Sequence, residues 1–221
     1  MKLTIIAATG GIGRQMLDQA LAAGHDVSVV VRNPSRLSSQ VRAFTADLTT
    51  AGPESLQPAL AGADAVLSGL GPRSRADSGI TARGTRTIVE AMRATGTRRL
   101  VVVSAAPVGT VPSPDRPHPP KHDPGDGFAM RYLLGPLVKA ALRTHYEDLA
   151  LMEDDLRHSD LDWTVIRPPR LTDGPLTGTY RTANGRNVRR GIVISRADVA
   201  HLMLAALDRP DTVGQVLSIA R

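Results

Sequence analysis

Residues 2–24 read KLTIIAATGGIGRQMLDQALAAG, and this stretch decides the fold. A short apolar run, Lys2 to Ala7, precedes the glycine-rich segment Thr9 to Gly13, and a periodic segment follows and stops at Gly24. This order predicts a strand, a tight turn and a helix. Ala7, Gly10 and Gly13 form an Ala-x-x-Gly-x-x-Gly pattern, which lets the backbone approach a pyrophosphate at the free N–H groups of the helix start. The stretch indicates dinucleotide binding, and a tight turn without a ligand is the alternative.

The rest of the chain repeats the alternation of strands and helices. The β-branched run Val27 to Val31 is typical of a strand buried on both faces of a parallel sheet. Further strands are predicted at Val41 to Thr45, Ala65 to Leu67, Leu100 to Val103, Trp163 to Ile166 and Val216 to Ile219. We therefore expect an α/β fold, a Rossmann-like doubly wound parallel sheet with helices on both faces, in a single NAD(P)-binding domain over residues 1–221.

Helix signals lie between these strands. The segment Ile80 to Thr95 has helical periodicity with Gly96 placed as its C-cap, and Ser195-Arg196-Ala197-Asp198 starts a helix predicted to run through Leu207. Pro58 predicts a short or kinked helix between Glu54 and Leu60.

A proline-rich segment interrupts the alternation. Seven of the sixteen prolines fall between Pro107 and Pro124, which predicts a long loop over residues 107–127. Phe128 to Arg157 is then predicted to be mostly helical and to be divided near Gly135-Pro136. Together these features predict a loop and helical insertion at about residues 105–145 within the one domain.

Composition narrows the classes of function. The chain has no cysteine, which excludes disulfides and thiolate metal sites, and prolines flank His118 and His122, so no metal site is expected. The net charge is +6, but only 3% of residues are aromatic and arginine is spread along the chain, so we expect no nucleic-acid partner. No apolar run approaches about 20 residues, so we expect no membrane span and a cytoplasmic location. The expected partner is a small-molecule substrate. A monomer and a small homo-oligomer both remain open.

The residue after the second predicted strand bears on the choice of cofactor. An acidic residue at this position holds the ribose hydroxyl of NAD. Arg32 stands there, with Arg36 four residues on, and both can pair with a 2′-phosphate. The sequence therefore predicts NADP(H), unless both arginines are surface charges.

Several stretches together resemble the NmrA-like, NAD(P)H-binding branch of the atypical short-chain dehydrogenase/reductases, which includes biliverdin-IXβ/flavin reductases. The matching segments are AATGGIGRQ at 7–15, VRNPSRL at 31–37, VSA at 103–105, RPP at 167–169 and LTDGPLTG at 171–178. They span most of the chain.

This resemblance implies roles for the matching positions. The pyrophosphate would be held by Thr9, Gly10, Gly11, Ile12 and Gly13, the 2′-phosphate by Arg32 and Arg36, and the adenine edge by Asp47 and Leu48. Gly69 and Leu70 would lie beside the cofactor ribose, Ser104 would face the nicotinamide and the substrate as the catalytic residue, and Pro168 and Pro169 would line the nicotinamide pocket.

The chain also departs from its relatives. Ala7 replaces the usual first glycine, which is harmless at negative φ and a problem at positive φ. The Tyr-x-x-x-Lys pair of standard short-chain dehydrogenases is absent because Ala150 stands four residues after Tyr146, and Leu149 replaces the lysine of NmrA-like proteins. Reduction of an isolated ketone needs a positioned acid, and isomerisation of sugars needs the same tyrosine, so both are disfavoured.

A conjugated acceptor such as a flavin, quinone or linear tetrapyrrole spreads the incoming charge and fits better. We expect an NADPH-dependent reductase in which Ser104 orients the acceptor and Arg170 stabilises negative charge, although Arg170 would equally suit the surface. Arg73 and Arg75 would contact an acidic substrate or lie in a solvated loop. The alternative function is a non-catalytic redox sensor that binds NADP(H) and reports to a partner.

Overall fold

The computed structural model describes residues 1–72, 77–127, 132, 135 and 140–221. Its centre is a sheet of eight strands, which are β1 (Lys2–Ile6), β2 (Asp26–Val31), β3 (Arg42–Thr45), β4 (Ala65–Ser68), β5 (Arg99–Val103), β6 (Asp162–Arg167), β8 (Arg181–Asn184) and β10 (Gln215–Ala220). Their order across the sheet is β3-β2-β1-β4-β5-β6-β10-β8. β7 (Arg170–Thr172) and β9 (Val193–Ser195) form a separate parallel pair.

Helices cover both faces of this sheet. They are α1 (Gly11–Ala22), α2 (Gln57–Leu60), α3 (Ile80–Thr95), α4 (Arg143–Arg157) and α5 (Arg196–Ala205). α1 and α5 bury apolar side chains on one face, while α2, α3 and α4 do so on the other. Neighbouring residues of β1 divide between the two cores, because Ile5 belongs to the first and Ile6 to the second. The expectation of a Rossmann-like α/β fold is confirmed.

The strand order places the site. β1 lies between β2 and β4. The strands β2 and β3 are added on one side of β1, and the chain then crosses over and adds β4, β5 and β6 on the other side. In open α/β sheets, ligands bind outside the carboxyl ends of the strands at such a switch point. The ligand site expected from this rule lies at the turn after Ile6 and the segment after Ser68.

Most predicted elements agree with the structure to within a residue or two. Gly96 ends α3 with φ +76°, and the Glu54 to Leu60 segment divides into a 3-10 turn and the short α2. The helix that begins after Ser195 ends at Ala205 and continues as a 3-10 turn, so it is shorter than predicted.

Three strands were not predicted. β7, β8 and β9 are three or four residues long, and β8 has the polar sequence RTAN and pairs antiparallel with β10. The sheet is therefore mostly parallel with one antiparallel edge strand.

The proline-rich segment contains a 3-10 turn at Ala106–Thr110 and an isolated bridge between Ser113 and Arg116. Of the predicted helical stretch after it, α4 is observed, whereas Phe128 and Pro136 lie outside the described residues. Among the helices of the described part, none has the length and apolar character that crossing a membrane requires.

Candidate cofactor site and substrate cleft

The turn between β1 and α1 is closed by its own backbone. The Gly10 N–H donates to the Ala7 carbonyl oxygen at 2.9 Å, and α1 begins at Gly11. A Cβ on Gly13 would lie 2.2 Å from that same carbonyl oxygen, so only glycine fits there. α1 has neither a side-chain cap nor an acidic residue in its first turn. Its first N–H groups and positive dipole end are therefore left for an anion.

Ala7 has a positive φ, which is the strained one of the two possibilities considered for this residue. Its φ is +60°, in the left-handed region that glycine occupies freely and other residues rarely enter. The substitution of alanine for the usual glycine therefore carries a conformational cost. This strain lies at the point where the chain turns from β1 into the site, which is where folded proteins commonly tolerate it.

A cleft of about 880 Å³ opens beside this turn. Its volume falls in the range of about 300–1,000 Å³ that is typical of small-molecule sites. Its walls come from the ends of β1, β4 and β5 and from the starts of α1, α4 and α5, and include Gly10, Gly11, Gly69, Ser104, His145 and Arg196. Ile12 and Leu70, two further predicted site residues, also line it.

A smaller pocket adjoins the cleft at the carboxyl end of β2. Thr9, Arg32, Leu48 and Leu70 line it, and Leu70 is shared with the cleft. Leu48 and Leu70 are buried and give it an apolar wall. Asp47, beside Leu48, is exposed, and its carboxylate accepts from the Thr49 N–H at 3.0 Å and from the Thr49 hydroxyl at 2.9 Å.

Gly69 lies where strand and helix come closest. A Cβ there would lie 3.1 Å from Cε of Met16 and 3.4 Å from N of Gly13, so β4 packs tightly on the start of α1. Taken with the close backbone approach at Gly13, the glycine turn and the apolar wall fit a dinucleotide. Gly10, Gly11 and Ile12 would hold the phosphates, and Leu48 with Leu70 would flank the adenosine.

Arg32 already has acidic neighbours. Its Nη1 lies 3.3 Å from Oδ1 of Asp77, a buried carboxylate, while Arg32 is about one-third exposed. The N–H and hydroxyl of Thr49 hold the pKa of Asp47 below its usual value, and the nearby Arg32 contributes to this shift. Asp47 is therefore ionised at neutral pH, and Arg32 stands near two carboxylates. Arg36 is exposed in the 3-10 turn after β2.

Ser104 is held by a buried charge cluster. Its hydroxyl donates to Oε1 of Glu153 at 2.7 Å, and Arg167 Nε donates to the same oxygen at 2.8 Å. Arg167 makes a second, very close contact with Oε2 of Glu153, and Arg157 lies 3.1 Å from that oxygen. Because the serine proton is committed to Glu153, the Ser104 oxygen is available to a ligand as an acceptor.

Of the segment that follows β6, Leu171 lines the cleft, whereas the three residues predicted to belong to the site do not. Pro168 is buried and its carbonyl accepts from the Ala106 N–H at 2.9 Å, whereas Pro169 is half-buried. Arg170 is exposed at the start of β7. None of the three is among the described residues that line the cleft. Arg73 and Arg75 lie outside the described residues.

His145 lines the cleft and was not predicted as a site residue. It belongs to α4, two helical turns before Glu153, so His145, Leu149 and Glu153 share one helix face. Burial lowers the pKa of His145, and the neighbouring Asp148 opposes this shift. Its Nδ1 is buried and, within the described part of the chain, has no hydrogen-bond partner. A histidine in the first turn of a helix gives no sequence signal that it will line a cleft.

The carboxylate of Asp148 is already hydrogen-bonded to the backbone. Its two carboxylate oxygens accept from the N–H groups of Thr81 at 2.9 Å and Ala82 at 3.0 Å, and so cap the start of α3.

Arg196 is another cleft residue that was not predicted, because the motif around it is typical of a helix start. Its side chain lies across Gly11 and its Nη1 contacts Oδ1 of Asp173 at 2.7 Å.

Comparisons with known proteins agree with this geometry. Residues 7–210 match the family model described as NAD(P)H-binding. A UPF0659 protein of Schizosaccharomyces pombe is 30% identical over 225 residues, which cover 93% of this chain and 85% of that protein.

Two solved structures share the fold. The anaerobilin reductase ChuY of Escherichia coli has a TM-score of 0.76 and 24% identity, covering 100% of this chain and 97% of its own. A Streptococcus pneumoniae protein described as a candidate NADH-flavin reductase has a TM-score of 0.74 and 23% identity, covering 100% and 99%. Because the family model spans most of the sequence, the chain belongs to the NAD(P)H-binding family.

Proposed function

We propose that this protein is an NADPH-dependent oxidoreductase that transfers hydride to a conjugated small-molecule acceptor of the flavin, quinone or tetrapyrrole type. The observation that carries the proposal is the continuous pair of pockets along the carboxyl ends of β2, β1 and β4, with the glycine turn between them. The smaller pocket, of about 40 Å³, takes only an edge of an adenosine against Leu48 and Leu70. The cleft, of about 880 Å³, has room for the rest of a dinucleotide with a second planar molecule.

Arg32 supports NADPH over NADH. It lines the smaller pocket at the end of β2, where a guanidinium can make paired hydrogen bonds to a 2′-phosphate. Asp77 contacts Arg32, so a phosphate has to compete with a carboxylate for the guanidinium group. We propose that the phosphate prevails because it carries more charge and because the existing pair is partly exposed to solvent.

The proton-transfer groups of the cleft support a conjugated acceptor. Tyr146 is buried, burial raises its pKa, and Leu149 rather than lysine stands on the helix face toward the cleft. The Ser104 proton is held by Glu153. With His145 mostly neutral at neutral pH, the cleft offers no strong positioned acid among the described residues, which disfavours isolated ketones.

The chain's own contribution would then be binding and orientation. Reduced nicotinamide supplies a hydride when it is bound. Ser104 accepts a hydrogen bond from the ligand at the end of β5, and its orientation is fixed by Glu153 and Arg167. The names of two structural neighbours, an anaerobilin reductase and a candidate NADH-flavin reductase, are consistent with planar conjugated acceptors.

The test is stopped-flow oxidation of NADPH by the purified protein with a panel of flavins, quinones and biliverdin. Acceptor-dependent oxidation is expected for the wild type and should be lost in Gly13→Ala, whose new Cβ would meet the Ala7 carbonyl at 2.2 Å. Gly127→Ala is the matched control, because a Cβ there meets no atom of the described residues within 4 Å. NADPH binding without turnover by any acceptor would contradict the reductase and favour the redox-sensor alternative.

A further inference from the structure

Arg196 reaches the glycine turn from the opposite end of the chain. It is the first residue of α5 and lines the cleft. A Cβ on Gly11 would lie 2.6 Å from its Cδ and 2.7 Å from its Nε. Glycine at position 11 therefore leaves the space in which the arginine side chain lies. This close approach fixes the guanidinium beside the first turn of α1.

The contact that holds Arg196 is weak. Its Nη1 contacts Oδ1 of Asp173 at 2.7 Å, but Asp173 is 90% exposed and Arg196 is 31% exposed. Exposed ion pairs of this kind contribute about 0–1 kcal/mol. Within the described part of the chain, Asp173 is the one hydrogen-bond partner of this guanidinium, which leaves donors on Nε and Nη2 for another acceptor.

Two independent elements thus direct donors at one place. α1 contributes backbone N–H groups that its own sequence does not cap, and α5 contributes a fixed positive charge. We propose that Arg196 binds the pyrophosphate of the dinucleotide, exchanging the Asp173 carboxylate for a phosphate oxygen. The inference rests on the proposed function, because it requires that the cleft bind a pyridine dinucleotide.

Arg196 and Arg32 have separate tasks in this arrangement. Arg32 lines the small pocket at the end of β2, and Arg196 lines the larger cleft. A 2′-phosphate and a pyrophosphate lie at different parts of NADPH, so each arginine meets a different anionic group. Loss of Arg196 should therefore weaken every ligand that contains the pyrophosphate and spare one that carries the 2′-phosphate alone.

The experiment is calorimetric binding to the full chain with three probes: NADPH, 2′-phospho-ADP-ribose and adenosine 2′-monophosphate. Arg196→Ala should weaken the first two by about 10- to 100-fold, the effect of losing a charge-assisted hydrogen bond. It should leave the affinity for adenosine 2′-monophosphate unchanged. Asp173→Asn, which frees Arg196, should tighten NADPH binding by about two- to five-fold.

Arg209→Ala is the matched control, since Arg209 also forms an exposed ion pair, with Asp211 at 2.8 Å, and is not among the described residues of the cleft. It should bind all three probes as the wild type does. Wild-type affinity in Arg196→Ala, or an equal loss for adenosine 2′-monophosphate, would overturn the assignment to the pyrophosphate. Weaker NADPH binding by Asp173→Asn would also overturn it. A wild type that binds neither of the two probes that contain the pyrophosphate, NADPH and 2′-phospho-ADP-ribose, would instead refute the proposed function itself.

Discussion

The ion pair between Arg32 and Asp77 allows coenzyme selectivity to be tested by a double-mutant cycle. The changes are Arg32→Ala and Asp77→Asn, made singly and together. Nη1 of Arg32 lies 3.3 Å from Oδ1 of Asp77, with side chains 32% and 11% exposed. A pair that is partly open to solvent contributes about 0–1 kcal/mol. The carboxylate is thus a modest competitor for the guanidinium.

The size of the effect follows from these contacts. Charge-assisted hydrogen bonds are worth about 1.5–3 kcal/mol, and replacing the Asp77 contact subtracts up to about 1 kcal/mol. The net contribution of Arg32 to binding the 2′-phosphate is then about 0.5–3 kcal/mol, or roughly 2- to 150-fold in affinity. Arg32→Ala should lose that factor for NADPH and change NADH binding little.

Asp77→Asn should act in the opposite direction. It removes the competing carboxylate and its repulsion of the phosphate, so NADPH should bind about two- to five-fold more tightly, with NADH unaffected. In the Arg32→Ala background most of this gain should disappear, because the two changes act on one interaction.

The assay is isothermal titration calorimetry with both coenzymes at one ionic strength. Arg42→Ala is the charge-matched control, because Arg42 stacks on Phe44 in β3 with 5.1 Å from its Cζ to the ring centroid. Equal losses of NADPH and NADH affinity in Arg32→Ala would refute the 2′-phosphate role. So would an Asp77→Asn variant that binds NADPH more weakly than the wild type.

Three further predictions concern stability. Ala7→Gly should raise the free energy of unfolding by about 0.5–1 kcal/mol, because it relieves a left-handed φ at a smaller entropic cost. Thermal unfolding measures this change. Arg190→Gly is the matched control, because Arg190 also has a positive φ, of +57°. Burial lowers the pKa of His145, so the unfolded state binds more protons: stability should fall as pH decreases from about 6.5 toward the lowered value. His145→Gln should lose that part of the decrease in urea titrations across this range, and an unchanged pH profile would contradict it. Glu153→Gln leaves Arg167 buried without its counter-charge and should cost about 3–5 kcal/mol by urea unfolding; a cost below about 1 kcal/mol would refute the pairing.

Local signals explain why much of the fold could be predicted. β1, the glycine turn and α1 follow one another within a short stretch, and each is fixed by side chains in its own segment. α3 is similar, because its apolar period and Gly96 at its end need no distant partner. β8 behaves differently: its residues are polar and mostly exposed, and its strand geometry comes from pairing with β10. Pairing of that kind leaves no trace in a four-residue sequence.

The site shows the same division. The spacing of Gly10 and Gly13 predicts the glycine turn from the sequence. The contact of Ser104 with Glu153 joins the end of β5 to α4 and therefore depends on how the sheet and the helix pack. Glu153 alone looks like a polar residue on an amphipathic helix, and only its burial beside Arg167 reveals its role. Arg196 likewise resembles an ordinary helix start until the fold brings it against Gly11.

A common principle connects the arginines of the two pockets. Arg32 is paired with Asp77, and Arg196 is paired with Asp173. If both guanidinium groups bind the cofactor as we propose, binding exchanges a carboxylate partner for a phosphate, and the affinity reflects the difference between the two as partners. The exchange would also release two carboxylates that repel a wrongly placed anion. On this proposal, selectivity at the site depends as much on the two aspartates as on the arginines that they hold.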